Sequence, residues 1–251
     1  MPGLWRGARP TRWRRALVAP ALVGAWLALG PAQAAARDPV DQPSVDDAVA
    51  FVDTLALIRE NPLGKPEAGW VRRWRGPVAV TLEGVAVPGF SAVVATSLKR
   101  ISEATGLAFH LADHAGADGH IAIRVRHQGV VAASFGQSDA VCLTSTFGEA
   151  GELHRAIVDI SEGYLDCLDH ELMHALGFNN HWHGATMGRS IATVLAPRHS
   201  RDRRRAFSAW DILAIRTLYR AELPPGLERD EALPRLRAIL LEESVVPAAG
   251  R

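Results

Sequence analysis

The stretch of the chain richest in reactive side chains is HELMHALGFNNHWHGATM, residues 170–187, which holds four histidines and a glutamate. Histidine binds divalent metals, and histidine and glutamate both move protons near neutral pH. Residues four apart share one face of a helix, so His170 and His174 could bind a single ion at the usual zinc–nitrogen distance of about 2.0–2.1 Å. Glu171 lies beside this pair and could reach a metal-activated water without binding the metal. The spacing therefore predicts two ligands and a general base.

A third ligand is expected, because catalytic zinc usually takes three protein groups and keeps one position open. Gly177 can end the helix in a left-handed conformation, and the chain then reverses toward His181. These residues complete H-E-x-x-H-x-x-G-x-x-H, the long zinc-binding motif of metzincins. Met187 follows six residues later, where such enzymes have a methionine turn beneath the metal, although methionine is also an ordinary core residue.

The residue types leave alternatives open at this site. His183 could replace His181 as the third ligand, and Asp211 could supply a carboxylate ligand or serve only as a charge at a helix N-terminus. The whole stretch could also be a helix with buried, hydrogen-bonded histidines and no metal. Zinc is favoured over other metals because three imidazoles suit it.

The elements that must position these residues form a mixed pattern. Alternating apolar residues predict four strands, at 77–84, 107–112, 120–126 and 155–161. Helical spacing predicts helices at 46–60, 91–106, 207–220 and 228–243, the second with Ser91 as N-cap and Gly106 as its stop. The order predicts one α/β (α+β) fold with a helical C-terminal portion, divided into an N-terminal helix and linker (35–76) and a catalytic domain (77–251).

The first 34 residues differ in kind from the rest. Five arginines and no acidic residue precede an apolar run at 16–30, and Ala32-Gln33-Ala34 follows. This order predicts a signal peptide at 1–34 that is cleaved on export, so we expect a secreted or periplasmic protein. An uncleaved membrane anchor is the alternative, but the apolar run is short for a bilayer span.

Removal of this segment changes the charge of the chain. The full sequence has 28 Lys+Arg and 27 Asp+Glu, so the mature chain has 28 − 5 = 23 basic and 27 acidic residues, a net charge of −4. That balance argues against nucleic acid as a partner, since phosphates bind to basic surfaces. One segment is locally basic: RHSRDRRR (198–205) is either a solvated loop or a contact, beside the cleft, for an acidic substrate or the envelope surface.

Cys142 and Cys167 are the two cysteines of the chain. In an exported protein they most simply form one disulfide, which closes a loop of about 26 residues. Free or metal-bound thiols are the alternative.

Two resemblances extend these expectations. The histidine stretch resembles the zinc-binding segment of matrixin-type metzincins. The wider chain resembles a family of exported bacterial proteins known only as a domain of unknown function, in RWRGPVAVTLEG (73–84), CLDHELMHALG (167–177) and YRAELPPGLERDEALPRLRAIL (219–240). The metzincin resemblance implies a zincin-like fold with a mixed sheet, whose edge strand pairs with an extended substrate. RAIVDIS (155–161) is the strand expected to do this.

These observations predict an exported zinc metalloendopeptidase that acts on a peptide or protein substrate, with one catalytic Zn²⁺. Glu171 would take a proton from water and deliver it to the leaving nitrogen. Two alternatives stay open. One is a non-catalytic cell-envelope or interaction protein on the same fold, and the other is a zinc amidase that acts on cell-wall crosslinks. The sequence does not indicate an oligomeric state.

Overall fold

The computed structural model describes residues 44–60, 65–114, 119–127, 129–135, 140–183, 191–197 and 203–245. The expected signal peptide (1–34), Met187 and residues 198–202 of the arginine-rich segment lie outside these ranges. The predictions made for these residues therefore remain predictions.

A five-stranded mixed sheet forms the centre of the molecule. The strands of the described chain are β1 (Ile58–Glu60), β2 (Pro66–Ala68), β3 (Val78–Gly84), β4 (Phe109–Leu111), β5 (His120–Arg126), β6 (Cys142–Glu149) and β7 (Glu152–Ser161). The order in the large sheet is β4-β3-β5-β7-β6, with parallel neighbours except for β6, which runs antiparallel to β7 at one edge. β1 and β2 form a separate antiparallel pair.

The register places apolar side chains side by side in the sheet interior. Ile121 is aligned with Val80 on β3, and Ile123 is aligned with Val158 on β7. Parallel strands covered on both faces have such apolar runs, and Ile123 and Val158 are fully buried.

The helices are α1 (Val45–Val52), α2 (Phe90–Thr105), α3 (Val130–Phe135), α4 (Leu168–Ala175), α5 (Ala209–Leu218) and α6 (Arg229–Val245). A π-helical turn, Asp53–Leu57, continues α1, and a 3₁₀ segment, Glu162–Cys167, leads into α4. α1 packs against α5 and α6, α2 packs against α5, and α4 packs against β6 and β7. No helix in the described ranges is long and apolar enough to cross a membrane.

The predicted mixed α/β arrangement is confirmed, and all four predicted strands are present. The predicted helix at 46–60 ends early, because Ile58–Glu60 leaves the helix to pair with β2. The N-cap assigned to Ser91 is wrong: the N-cap of α2 is Gly89, at φ 78°, and its stop is Gly106, as predicted.

The prediction that RAIVDIS forms the sheet edge is wrong. These residues belong to β7, which pairs with β5 on one side and β6 on the other. The edge strand beside α4 is β6, with the sequence CLTSTFGE. It was not predicted because its polar residues and half-buried side chains give no alternation of apolar and polar positions.

Candidate metal centre

A disulfide fixes the N-terminal end of α4. Cys167 is the N-cap residue of the helix, and it is bonded to Cys142, the first residue of β6. The predicted disulfide is therefore confirmed. In the chain-entropy model a link across 25 residues stabilises the fold by about 3 kcal/mol. The same bond holds the histidine helix against the edge strand.

The C-terminal end of α4 is held by the core. Gly177 has φ 109°, and a Cβ at this position would lie 2.0 Å from the Arg72 carbonyl oxygen. Glycine is therefore required both by the backbone conformation and by the close approach. The last backbone carbonyls of a helix lack intrahelical partners. Here two of them accept hydrogen bonds from side chains: Trp74 Nε1 donates to the Ala175 carbonyl, and the Tyr219 hydroxyl donates to the Leu176 carbonyl.

The bend after α4 is set by segments that lie far away in the sequence. The backbone N–H groups of Asn179 and Asn180 both donate to the Leu55 carbonyl of the π-helical turn, at 2.8 and 3.2 Å. Arg72 Nη1 donates to Asn179 Oδ1 at 2.8 Å. Asn180 Oδ1 then accepts from the His181 N–H at 2.8 Å. The N-terminal helix thus helps to place the third histidine.

The three predicted histidines converge. His170, His174 and His181 each offer a ring nitrogen, and these three nitrogens lie within 4.8 Å of one another. The Nε2 atoms of His170 and His181 are 3.2 Å apart. Two nitrogens bound tetrahedrally to zinc at 2.0–2.1 Å are separated by about 3.3 Å, so the distance between His170 and His181 fits this ion.

The tautomers of two of these rings are fixed by backbone carbonyls. His170 Nδ1 donates to the Val194 carbonyl and His174 Nδ1 donates to the Phe178 carbonyl, both at 2.7 Å. Since a carbonyl only accepts, each Nδ1 carries the proton and each Nε2 presents a lone pair that can bind a metal. Burial lowers the pKa of His170 to about 4 and that of His174 to about 3. Both rings are therefore neutral, as ligands must be.

Glu171 is buried beside the histidines. Thr144 Oγ1 on β6 donates to Glu171 Oε2 at 2.8 Å, while Oε1 lies 3.9 Å from His170 Nε2. Burial raises the pKa of Glu171 to about 7, against the opposing effects of the Thr144 hydrogen bond and the Arg203 charge. A carboxyl with this pKa can take up and release a proton at neutral pH.

The two alternative ligands lie outside this group. His183 is exposed, and its ring centroid is 6.4 Å from that of His181. Asp211 is fully buried, but it accepts hydrogen bonds from Thr193 Oγ1 at 2.5 Å and from the Val194 and Ser208 N–H groups. It also completes the capping box of α5. Asp211 therefore holds the loop whose Val194 carbonyl orients His170.

Three supporting residues escaped sequence reasoning. Thr144 and Val194 contact the site as described above, and Asp169 anchors α4 to the core. Asp169 Oδ1 accepts from Ser97 Oγ at 2.5 Å and Oδ2 accepts from the Phe207 N–H at 3.0 Å. Burial raises the pKa of Asp169. Each contact joins residues at least 24 positions apart, so no local pattern points to it.

A cleft of about 700 Å³ opens over the three histidines and Glu171. The other lining residues that matter here come from the start of β6 and from the segment after the bend: Cys142, Leu143, Thr144, Thr146, Pro197 and Arg203.

The β6 edge presents backbone groups that β7 does not use. The Ser161 N–H donates to the Val141 carbonyl at 2.9 Å, so Val141 faces β7. In an antiparallel pair such residues alternate with residues whose N–H and C=O point outward. Cys142, Thr144 and Thr146 therefore direct their backbone groups away from β7, and all three line the cleft.

The family model described as "Protein of unknown function (DUF2927)" matches residues 50–238. The chain belongs to this family. The matched range includes the whole sheet, α4 and every histidine of the cluster. No curated protein matches the chain.

Proposed function

We propose that this member of the DUF2927 family is an exported zinc metalloendopeptidase with a metzincin-like catalytic domain. One observation carries the proposal. Three ring nitrogens, two of them on neutral rings of fixed tautomer, converge next to a buried carboxyl group in a cleft bordered by an edge strand.

The donor set supports a catalytic ion over a structural one. Structural zinc sites usually fill all four positions with protein groups, whereas catalytic sites use three and leave one open. Among the described residues, the group that could hold a metal contains only His170, His174 and His181. When bound there, zinc would supply the Lewis acidity that acidifies water and polarises a carbonyl group.

Glu171 would act as the general base and acid. Its Oε2 is held by Thr144, so the other oxygen, Oε1, is directed toward the histidine cluster. A peptide bond is hydrolysed when water loses a proton as it attacks the carbonyl carbon and the leaving nitrogen gains one. Glu171 can accept the first proton and donate the second, because its raised pKa makes both forms accessible near neutral pH.

The outer edge of β6 would bind the substrate. An extended peptide can add to a free edge and pair with its backbone groups. The outward groups of Cys142, Thr144 and Thr146 border the same cleft as the histidines, so a paired peptide would pass over the proposed metal. In this proposal β6 takes the role that the sequence assigned to β7.

Two further features support a metzincin-like fold and export. The sheet has parallel strands and one antiparallel edge strand beside the histidine helix, and the long motif spans this helix and the bend behind it. The Cys142–Cys167 disulfide suits an oxidising compartment outside the cytoplasm. A methionine turn at Met187 stays a prediction.

The deciding experiment combines metal analysis with hydrolysis. The exported chain should bind about one zinc ion and cleave members of a mixed peptide library. Glu171→Gln should retain the zinc while cleavage falls by about 10²–10⁴-fold. Glu231→Gln, at an exposed position of α6, is the matched control and should cleave like the parent.

Three outcomes would contradict the proposal in different ways. A chain without zinc at neutral pH would remove the metal centre and favour a non-catalytic envelope protein. Zinc binding with cleavage of peptidoglycan fragments but not of peptides would favour the cell-wall amidase. Unchanged cleavage by Glu171→Gln would show that the assigned base is wrong.

A further inference from the structure

Arg203 is the cation of the cleft. Apart from the histidines, the ionisable residues that line the cleft in the described chain are Glu171 and Arg203. Arg203 belongs to the basic segment for which the sequence left a solvated loop and an acidic contact open. Its neighbours differ from it: Arg204 and Arg205 are exposed, and Arg205 pairs with Asp166 at 3.5 Å.

The backbone of Arg203 is fixed relative to the metal site. Arg203 forms a parallel bridge with Thr193, and the Arg204 N–H donates to the Thr193 carbonyl at 3.0 Å. The next residue, Val194, accepts the hydrogen bond from His170 Nδ1. Two short links therefore connect Arg203 to a metal-ligand candidate, so its side chain starts from a defined place beside the cleft.

The guanidinium has unused capacity to bind an anion. The Arg203 side chain is partly buried, and no hydrogen bond or ion pair joins its guanidinium to another described residue. Its charge reaches the site, since it adds to the lowering of the His170 pKa and opposes the rise that burial causes in the Glu171 pKa. A guanidinium offers five N–H donors in a planar fork that matches a carboxylate.

We propose that Arg203 binds a carboxylate of the substrate close to the scissile bond and gives the enzyme a preference for acidic peptides. This inference rests on the proposed function. The carboxylate can belong to an Asp or Glu side chain or to the C-terminus of a short peptide. Either carboxylate presents two oxygens to the guanidinium, so the two sources are distinguished by the experiment below.

The test uses a position-scanning peptide library in which each position on either side of the cleaved bond carries Glu or Gln. At one position, the parent should cleave the peptide with Glu with about tenfold higher kcat/KM than the peptide with Gln. A partly buried charge pair can give a difference of this size. In Arg203→Gln this ratio should fall to about one. Arg205→Gln removes the same charge two residues away, and it should keep the parent ratio.

Two additional variants distinguish binding from a structural role. Arg203→Lys should restore part of the Glu preference, and Arg203→Glu should favour a Lys peptide at the same position. If Arg203 only supported Glu171, its loss would slow all peptides alike and leave the Glu/Gln ratio unchanged. That result would overturn the inference. Peptides with a free or amidated C-terminus show which carboxylate is bound: dependence on the free terminus identifies the terminal group.

A binding measurement keeps this inference separate from the proposed function. Fluorescent Glu and Gln peptides are titrated into the zinc-loaded Glu171→Gln protein and into its Arg203→Gln double variant. Tighter binding of the Glu peptide that is lost with Arg203 supports the carboxylate site even if the parent cleaves nothing. Equal binding of both peptides by Glu171→Gln overturns it even if the parent is an active peptidase.

Discussion

The two sides of α4 carry buried acidic residues with opposite surroundings. On the core side, Asp169 accepts hydrogen bonds at both oxygens, from Ser97 and from the Phe207 N–H. On the cleft side, Glu171 has one oxygen bonded to Thr144, and the other faces His170 at 3.9 Å. Burial raises the pKa of both groups, so a shifted pKa alone does not distinguish them.

The difference separates a carboxyl group whose two oxygens are both hydrogen-bonded from one that directs an oxygen toward the histidines. Asp169 holds α4 to the α2 helix and to the start of α5, and its acceptor positions are used in doing so. Glu171 keeps one oxygen for another partner. The other residues of α4 divide in the same way. Leu172 and Met173 are fully buried in the core, whereas His170 and His174 line the cleft. Changes on the cleft side should therefore affect metal and catalysis, and changes on the core side should affect stability.

The largest effect is expected for His174→Ala, on the cleft side. Loss of one of the three proposed ligands should weaken zinc binding by much more than the roughly 10–100-fold typical of a supporting residue. Zinc content after dialysis and competition with a chelator measure this loss, and circular dichroism should show a retained fold. His183→Ala changes an exposed histidine outside the cluster and should bind zinc like the parent. Equal zinc affinity in the two variants would remove His174 from the site.

Leu172→Ala tests the core side next to the same histidine. Truncation of this fully buried side chain should lower the free energy of unfolding by about 2–5 kcal/mol, because it removes apolar contacts and leaves a cavity. Zinc stoichiometry at low temperature should stay at the parent value. Urea unfolding gives the energy, with Leu241→Ala at an exposed position of α6 as the control. A Leu172 variant that is stable but free of zinc would break the division between the two sides.

Local features of the site followed from the sequence, and its distant supports did not. The positions of His170, His174 and His181 depend on helix periodicity and a glycine-ended turn, which act over eleven residues. The sheet register brings Thr144 to the site, and the loop before α5 brings Val194 there. Thr144 is a polar residue in a strand that was not predicted, so the sequence gives no sign of its contact with Glu171. The convergence of the three histidines could thus be predicted, whereas their hydrogen-bond partners could not.

The fold shows the same limit. Strands β3, β5 and β7 have alternating or continuous apolar residues because they are buried in the sheet, and they were predicted. β6 was missed, and the edge was assigned to β7, because the pairing order depends on contacts between separate segments. The first helix was predicted to run to residue 60 because its apolar spacing continues, although pairing of Ile58 with Ala68 ends it after the π-helical turn.

Ser97→Ala removes the hydroxyl that supports Asp169. Asp169 Oδ1 then loses its partner at 2.5 Å, and an unsatisfied buried acceptor should lower the free energy of unfolding by about 1–3 kcal/mol. Zinc binding and peptide cleavage should stay at parent levels. The control is Ser91→Ala, at an exposed position of α2, the helix that also contains Ser97. It should change the free energy of unfolding by less than about 0.5 kcal/mol. A loss of zinc with unchanged stability would show that Asp169 belongs to the site rather than to the core.

The smallest effect is expected for Thr144→Val. This substitution removes the hydroxyl that contacts the cleft side of α4. Valine keeps the shape of threonine but cannot donate to Glu171 Oε2, so the carboxylate loses one hydrogen bond worth about 0.5–1.5 kcal/mol. Because that bond directs the second oxygen toward the histidines, kcat should fall by about two- to tenfold while zinc affinity stays unchanged. Ser145→Ala, the next residue on β6, is the control and should retain the parent kcat. If Thr144→Val lowers stability as much as Ser97→Ala does and leaves kcat intact, then Glu171 is held as a structural residue like Asp169, and the two sides of α4 do not differ in function.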